Sequence, residues 1–246
     1  MIIKFLGTAS NGGLPQQDCS CKNCDVARRD KNRRRLRSSL AFSDTGKTWS
    51  IIDCGPDFRQ QLINNNILVQ DIKLITLTHF HSDHITGLVE LGFGKPLTIN
   101  ISMDELMKKE FQNIKFFKYL LDFEFLQIIK PKNFEAIMVK HWQGHQCRAI
   151  IINGIKRIFY VTDCEAIDDT LLEKMSNCDL IIFDGTFLDE SKFGHISIKE
   201  SCPVLASLHK PVIFTHFDHS QDIHKANNFI SKFNFKTAND GNKIVI

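Results

Sequence analysis

The segment Thr78-His79-Phe80-His81-Ser82-Asp83-His84 places four side chains able to bind a metal within six residues. It directly follows an apolar run, Lys73–Leu77, that reads as a strand. Alternate residues of an extended chain face the same way, so His79 and His81 can hold one cation together. Asp83 and His84 fall at the expected start of a helix, where they would face a second cation beside the first. A single histidine more often packs in a core or sits at a surface, but four donors in one cluster point to metal chemistry. Further donors lie past other strand ends: His145 in the loop Trp142-Gln143-Gly144-His145, Asp163 after Phe159–Thr162, and His216 after Val212–Thr215. On spacing alone each of these three could equally cap a turn. Two cations about 3.5–4 Å apart lower the pKa of a shared water and neutralise charge on a phosphoryl or carbonyl oxygen. Such a centre supplies a hydroxide nucleophile near neutral pH, which leaves the protein to orient the substrate and protonate the leaving group. Asp83 and His195 are the expected catalytic side chains. His195, in Phe193-Gly194-His195-Ile196-Ser197, is the candidate proton donor.

A second cluster, Cys19-x-Cys21-x-x-Cys24, supplies three thiols in six residues. Thiolates select zinc, and three of them plus one histidine close a tetrahedron with no open position, which makes such a site structural. The other cysteines, Cys54, Cys147, Cys164, Cys178 and Cys202, are expected to pack. Cys54 and Cys164 directly follow Asp53 and Asp163.

Strands are expected at Ile2–Leu6, Trp49–Ile52, Lys73–Leu77, Leu97–Ile101, Phe134–Val139, Arg148–Ile152, Arg157–Val161, Leu180–Phe183, Val212–Thr215 and Lys243–Ile246. Helical spacing covers Phe58–Asn64, Ile85–Leu91, Met103–Leu121, Asp168–Met175, Ile198–Leu208 and Ile223–Phe233. Ser102 and Glu105 form a capping-box pattern at the start of the third. No repeat, linker or low-complexity tract interrupts the chain, so a single domain over residues 1–246 is the economical expectation. The order of elements fits a layered α/β sandwich better than a barrel.

The His-x-His-x-Asp-His block, followed in order by His145, Asp163 and His216, resembles the metallo-β-lactamase superfamily. Asp53 in Ile52-Asp53-Cys54-Gly55 matches its early aspartate, and the likeness runs from Phe5-Leu6-Gly7-Thr8 to the last strand. The resemblance implies a four-layer αββα sandwich with two active-site metals, zinc or manganese. It assigns one metal to His79, His81 and His145 and the other to Asp83, His84 and His216. Asp163 bridges them, and Asp53 supports the ligands from behind. A histidine matching His195 serves the phosphodiesterase members. Gly12-Gly13-Leu14-Pro15, the three cysteines and Pro56-Asp57-Phe58-Arg59-Gln60-Gln61 resemble one branch of the superfamily. That branch holds the phosphoribosyl cyclic phosphate phosphodiesterases and the pyrroloquinoline quinone biosynthesis protein B, and it implies His219 as the fourth ligand of a structural zinc.

Four functions compete. A phosphodiesterase acting on a small cyclic or nucleotide-like phosphodiester fits the complete donor set, His195 and the cysteine motif. A role like that of the pyrroloquinoline quinone protein fits Gly12–Gln16 and Asp184-Gly185-Thr186, although the His-x-His-x-Asp-His block is often degenerate in that group and is intact here. An RNA-processing nuclease would need an added arm to grip RNA. A zinc-stabilised binding module without catalysis would not require every ligand. The formal charge of +3 over 246 residues is too small to imply nucleic-acid binding. Arg28–Arg37 concentrates seven basic residues and one acid and would be either a solvated connection or a positive rim for phosphorylated substrates. No aromatic residue interleaves it, as single-strand binding would require. No run approaches the roughly 20 apolar residues of a membrane span, and Ile2–Leu6 is too short for a secretion signal. The expected setting is the cytoplasm, with a small phosphorylated substrate as partner, no membrane, no nucleic acid, and homodimerisation left open.

Overall fold

A computed structural model describes residues 1–92, 99–102, 109, 126–129, 133–142 and 146–246. The chain forms two compact units, one from Met1–Gly7, Ser39–Lys132 and Gly241–Ile246, the other from Thr8–Ser38 and Asn133–Asp240. The expected helix Met103–Leu121 and the pair Ser102/Glu105 lie largely outside the described residues.

Among the described residues the first unit has seven strands, in the order β13-β1-β2-β3-β4-β5-β6. These are β1 (Ile2–Gly7), β2 (Ser39–Ser43), β3 (Trp49–Ile52), β4 (Ile72–Thr76), β5 (Ile99–Ser102), β6 (Leu126–Ile129) and β13 (Lys243–Val245). The edge from β13 to β3 is antiparallel, whereas β3 to β6 run parallel. Ile51, Ile75 and Leu77 pack with Trp49, Phe58 and Leu62 in a core of this unit's own. Among the described residues of both units the helices are α1 (Lys22–Arg29), α2 (Phe58–Asn65), α3 (Ser82–Ile85), α4 (Asp169–Ser176), α5 (Ile198–Ser207) and α6 (Ile223–Ile230), with α2 and α3 in the first unit and the others in the second.

The second unit carries β7 (Phe134–Lys140), β8 (Gln146–Asn153), β9 (Arg157–Tyr160), β10 (Leu180–Asp184), β11 (Val212–Thr215) and β12 (Lys236–Thr237), in the order β12-β11-β10-β9-β8-β7. Strands β9 to β12 are parallel, and β7 and β8 close the sheet as an antiparallel edge. Every residue of β10 is buried, as expected of a strand covered on both faces. Helix α5 is capped by Ser197, whose Oγ accepts from the Glu200 N–H at 3.2 Å, and Asp222 caps α6 by accepting from the N–H groups of His224 and Lys225.

Two differences from the sequence expectation bear on the site. Helical geometry over Ile85–Leu91 breaks: α3 ends at Ile85 and a 3₁₀ stretch follows over Thr86–Gly92. The cause is local, because the Gly87 N–H donates to the Cys54 carbonyl at 2.8 Å and pulls the chain onto the turn after β3. Helix α1, with β2 close behind it, was not anticipated. It buries only Cys24 and Ala27, too few apolar positions to print a helical period. Among the described residues no helix is long and apolar enough to cross a membrane.

Candidate metal centres

Parallel strands deliver the donors at their carboxyl ends, where ligands gather in α/β sheets. In the first unit Asp53 follows β3 and Thr78-His79 follows β4. Asp53 is fully buried and adopts a left-handed φ of 63°, a conformation held only where the surroundings over-determine it. Its Oδ1 accepts from the Thr78 N–H at 2.8 Å, and the Thr78 hydroxyl also donates to this carboxylate, 2.9 Å from Oδ2. Oδ2 accepts as well from the Nδ1–H of His84 at 2.8 Å. With its proton committed to Asp53, the Thr78 hydroxyl accepts from the Nδ1–H of His79 at 3.0 Å. One carboxylate therefore sets the tautomer of two imidazoles and leaves each Nε2 lone pair for a metal, the usual partnership behind a ligating histidine. The rings of His79 and His81 meet edge to face at 4.5 Å, and His84 Nε2 lies 3.1 Å from Asp83 Oδ2.

Close packing holds this cluster in place. A Cβ on Gly55 would stand 1.9 Å from the Asp83 carbonyl oxygen, and one on Gly87 would stand 2.1 Å from the Gly55 oxygen. The Cys54 N–H donates to the His84 carbonyl at 2.7 Å. Only hydrogen fits between the turn after β3 and the helix that carries Asp83 and His84. Burial and the Asp53 charge push the Cys54 thiol well up, so it stays a neutral packing group.

The second unit repeats the device with Asp184, at the end of β10. This fully buried carboxylate accepts from the Nδ1–H of His195 at 2.7 Å and from the N–H and hydroxyl of Thr186 at 2.9 and 2.5 Å. The Thr186 oxygen in turn accepts from His216 Nδ1–H at 2.8 Å. His216 follows β11 with a left-handed φ of 65°, matching Asp53. His141 donates Nδ1–H to the Gly194 carbonyl at 3.0 Å. Burial lowers the His141 pKa against the opposing pull of Asp163, which favours the neutral ring that a metal requires.

Asp163, just beyond β9, is the centre of this group. Its Oδ1 lies 3.5 Å from His141 Nε2 and 3.8 Å from His195 Nε2, and its Oδ2 lies 3.6 Å from His216 Nε2. These separations are too long for hydrogen bonds. Two donors on one tetrahedral cation at about 2.0–2.1 Å stand about 3.4 Å apart, close to the His141 and His216 spans. His195 stands furthest away. His145, the loop histidine expected as a ligand, lies outside the described residues. His141, four residues earlier, is buried and faces Asp163. Asp184 and Thr186 were not anticipated as site residues, and the signal for them is an acid that ends an apolar run just before a glycine.

The cysteine cluster lies wholly in the second unit. The Sγ atoms of Cys19, Cys21 and Cys24 stand 3.5, 3.6 and 3.5 Å from a single atom, His219 Nδ1. Zinc with bonds of about 2.3 Å to sulfur and about 2.0–2.1 Å to nitrogen would separate them by about 3.5 Å. The donor set fits a closed zinc site. Asn23 ties the cysteine helix to this loop by donating to the carbonyls of His219 and Gln221 at 3.1 and 2.9 Å. The basic run is partly turned inward: Arg35 donates to Thr8 Oγ1 and the Ala238 carbonyl, both at 2.7 Å, and Arg34 donates to the Ala27 carbonyl at 3.0 Å. Arg33 and Lys22 line a cavity of about 580 Å³ beside α6.

The sequence pattern of the Beta-lactamase superfamily domain matches residues 48–217, which include all the candidate donors outside the cysteine cluster. The chain belongs to the metallo-β-lactamase superfamily. It is 25% identical over 295 residues to a coenzyme PQQ synthesis protein B of Ruegeria pomeroyi, with 100% of each chain covered. Among solved structures it resembles zinc-bound PqqB from Methylobacterium extorquens, with a TM-score of 0.84 at 21% identity over 100% of both chains. It also resembles a diphosphatase of the PhnP family, with a TM-score of 0.80 at 23% identity over 100% of this chain and 97% of that one. The fold is that of the superfamily, whose members are mostly metal-dependent hydrolases, and the donor clusters here are of the kind that hold divalent metals.

Proposed function

We propose that this chain is a binuclear metal-dependent phosphodiesterase acting on a small cyclic or nucleotide-like phosphodiester. The observation that carries the reading is the Asp163 carboxylate, with one oxygen toward His141 and the other toward His216, the disposition of a bridging ligand. On the superfamily's pattern His79, His81, Asp83, His84, Asp163 and His216 would hold two cations, zinc or manganese, with His145 as the remaining expected ligand and the buried His141 as a further candidate. When bound, the pair supplies an activated water and neutralises charge on the phosphoryl oxygens.

The chain's own residues do the remainder. Asp53 and Thr78 fix the ring orientations of His84 and His79, and Thr186 fixes that of His216. Asp184 holds the His195 ring through Nδ1 and so leaves Nε2 on the side of Asp163. His195 is then a proton donor to the departing oxygen, a role compatible with its longer distance from Asp163. Cys19, Cys21, Cys24 and His219 would hold a structural zinc and so fasten the loop that follows His216.

The test is hydrolysis of bis-p-nitrophenyl phosphate and p-nitrophenyl phosphate by protein loaded separately with zinc and manganese. The diester should be cleaved far faster, and chelation should abolish the activity. A preference for the monoester, or activity that survives chelation, sinks the proposal. A second reading, a role in PQQ synthesis, draws support from the end-to-end likeness to PQQ synthesis protein B. Failure with every diester while both metals remain bound would favour it.

A further inference from the structure

The two segments that carry His141 and His195 also carry exposed aromatic rings. Trp142 is 44% exposed and Phe193 is 63% exposed. They meet edge to face with centroids 6.5 Å apart, and Phe187 lies 6.3 Å behind Phe193 and 6.0 Å from the His195 ring. Lys192 holds its ammonium 4.4 Å from the Phe187 centroid and 6.0 Å from that of Phe193. Large rings left in water at adjoining positions cost hydrophobic free energy, and such patches mark places where something binds.

The backbone enforces the arrangement. Phe193 and Gly194 both have left-handed φ values, 53° and 79°, and bulky residues seldom adopt that conformation. A Cβ on Gly194 would stand 2.3 Å from the Trp142 nitrogen, so the two segments touch through backbone. The hydrogen bond from His141 to the Gly194 carbonyl locks them together. The rings are thus held at a set position relative to His195.

We infer that Trp142 and Phe193 form a stacking platform for a planar aromatic leaving group, such as a nucleoside, on the phosphodiester. The inference rests on the proposed phosphodiesterase reading. A proton donated by His195 goes to the oxygen that departs, so the departing group must lie on the His195 side. There the surface offers two aromatic rings and a cation, which suit a planar, electron-rich base. An alkyl leaving group would gain little from these rings.

Tryptophan emission tests the platform without turnover, because Trp49 is buried and Trp142 is the exposed reporter. Adenosine 5′-monophosphate added to the metal-loaded protein should quench the exposed component, and ribose 5-phosphate should not. Phe193→Asn suits the left-handed backbone and removes the ring, and it should weaken the adenosine monophosphate response roughly tenfold. Equal quenching by both probes, no quenching, or an unchanged response in Phe193→Asn overturns the platform. Kinetics separate this from failure of the underlying reading. Trp142→Ala should raise KM roughly tenfold for 2′,3′-cyclic adenosine monophosphate, and much less for a base-less ribose cyclic phosphate. If the wild type cleaves neither, the phosphodiesterase reading falls while the quenching result still decides the platform. If Trp142→Ala impairs both substrates alike, the platform is wrong and the reading stands.

Discussion

The Asp184 carboxylate accepts the Nδ1–H of His195 at 2.7 Å, both groups lying in the second unit with Asp184 fully buried. The pairing fixes the imidazole tautomer and the orientation of the ring, as a positioned proton donor requires. Replacing His195 with alanine should cut the rate with a poor alkoxide leaving group by roughly 10²–10⁴-fold, the usual worth of a general acid. The loss should be much smaller with p-nitrophenolate, which departs without a proton. Asp184→Asn should show the same dependence on the leaving group. Metal content after His195→Ala should be unchanged. Equal losses for both leaving groups make His195 a phosphate-positioning residue, and lost metal makes it a ligand.

Gly55→Ala tests the packing behind Asp83 and His84. Its Cβ would stand 1.9 Å from the Asp83 carbonyl oxygen, and that atom is backbone, so the helix start must shift. Overpacking of this kind costs about 1–3 kcal/mol, and the displaced ligands should also lower metal affinity. Calorimetry together with metal titration checks both effects. A variant with wild-type Tm and metal content would show that the contact relaxes without disturbing the site.

Much of this was legible before any coordinates. Four donors crowded into residues 79–84 declare a metal site by density alone. Asp163 and His216 were placed because the apolar runs before them are unmistakable strands. His141 was not legible as a candidate, and the expected ligand His145 lies outside the described residues. The described feature that picks out His141 is the Gly194 carbonyl, 53 residues away, a partner that no local pattern announces. Asp184-Gly185-Thr186 stood out as a motif, but its part in the site did not, because Asp184 and Thr186 act on rings supplied by other segments. Helix α1 and the 3₁₀ turn after α3 escaped because the cysteine cluster and glycine contacts, not apolar periodicity, shape them.

Asp222 predicts an acid-side dependence of stability. Its carboxylate accepts from the N–H groups of Lys225 and His224 at the start of α6, and the Lys225 bond above all holds its pKa below the usual carboxylate value. A depressed folded-state pKa contributes stability that is present above the unfolded value of about 4 and is lost as pH falls through the folded value. Asp222→Asn keeps a capping oxygen without the charge, so it should flatten this part of the Tm profile below about pH 5. Asp222→Ala should also lower Tm at neutral pH, since the cap itself is gone. A parallel Tm profile for Asp222→Asn and wild type would remove Asp222 from the acid response.

The cysteine site makes the last prediction, and it separates zinc from chance proximity of thiols. Three Sγ atoms at 3.5–3.6 Å from His219 Nδ1 match the spans around one tetrahedral cation. Elemental analysis of fully loaded protein should therefore approach three metals per chain, two in the active site and one here. Cys21→Ser should remove one zinc and lower Tm sharply, because binding free energy at a structural zinc site is also folding free energy. The effect should reach the active site as well, since His219 lies three residues past His216 and Asn23 ties α1 to that same loop. Metal affinity at the His216 end should fall even though no active-site ligand has changed. His219→Ala should reproduce the zinc loss, whereas Cys202→Ser, a buried thiol outside the cluster, should keep all three metals. A Cys21→Ser protein with full metal content and wild-type Tm would reduce the cluster to packing.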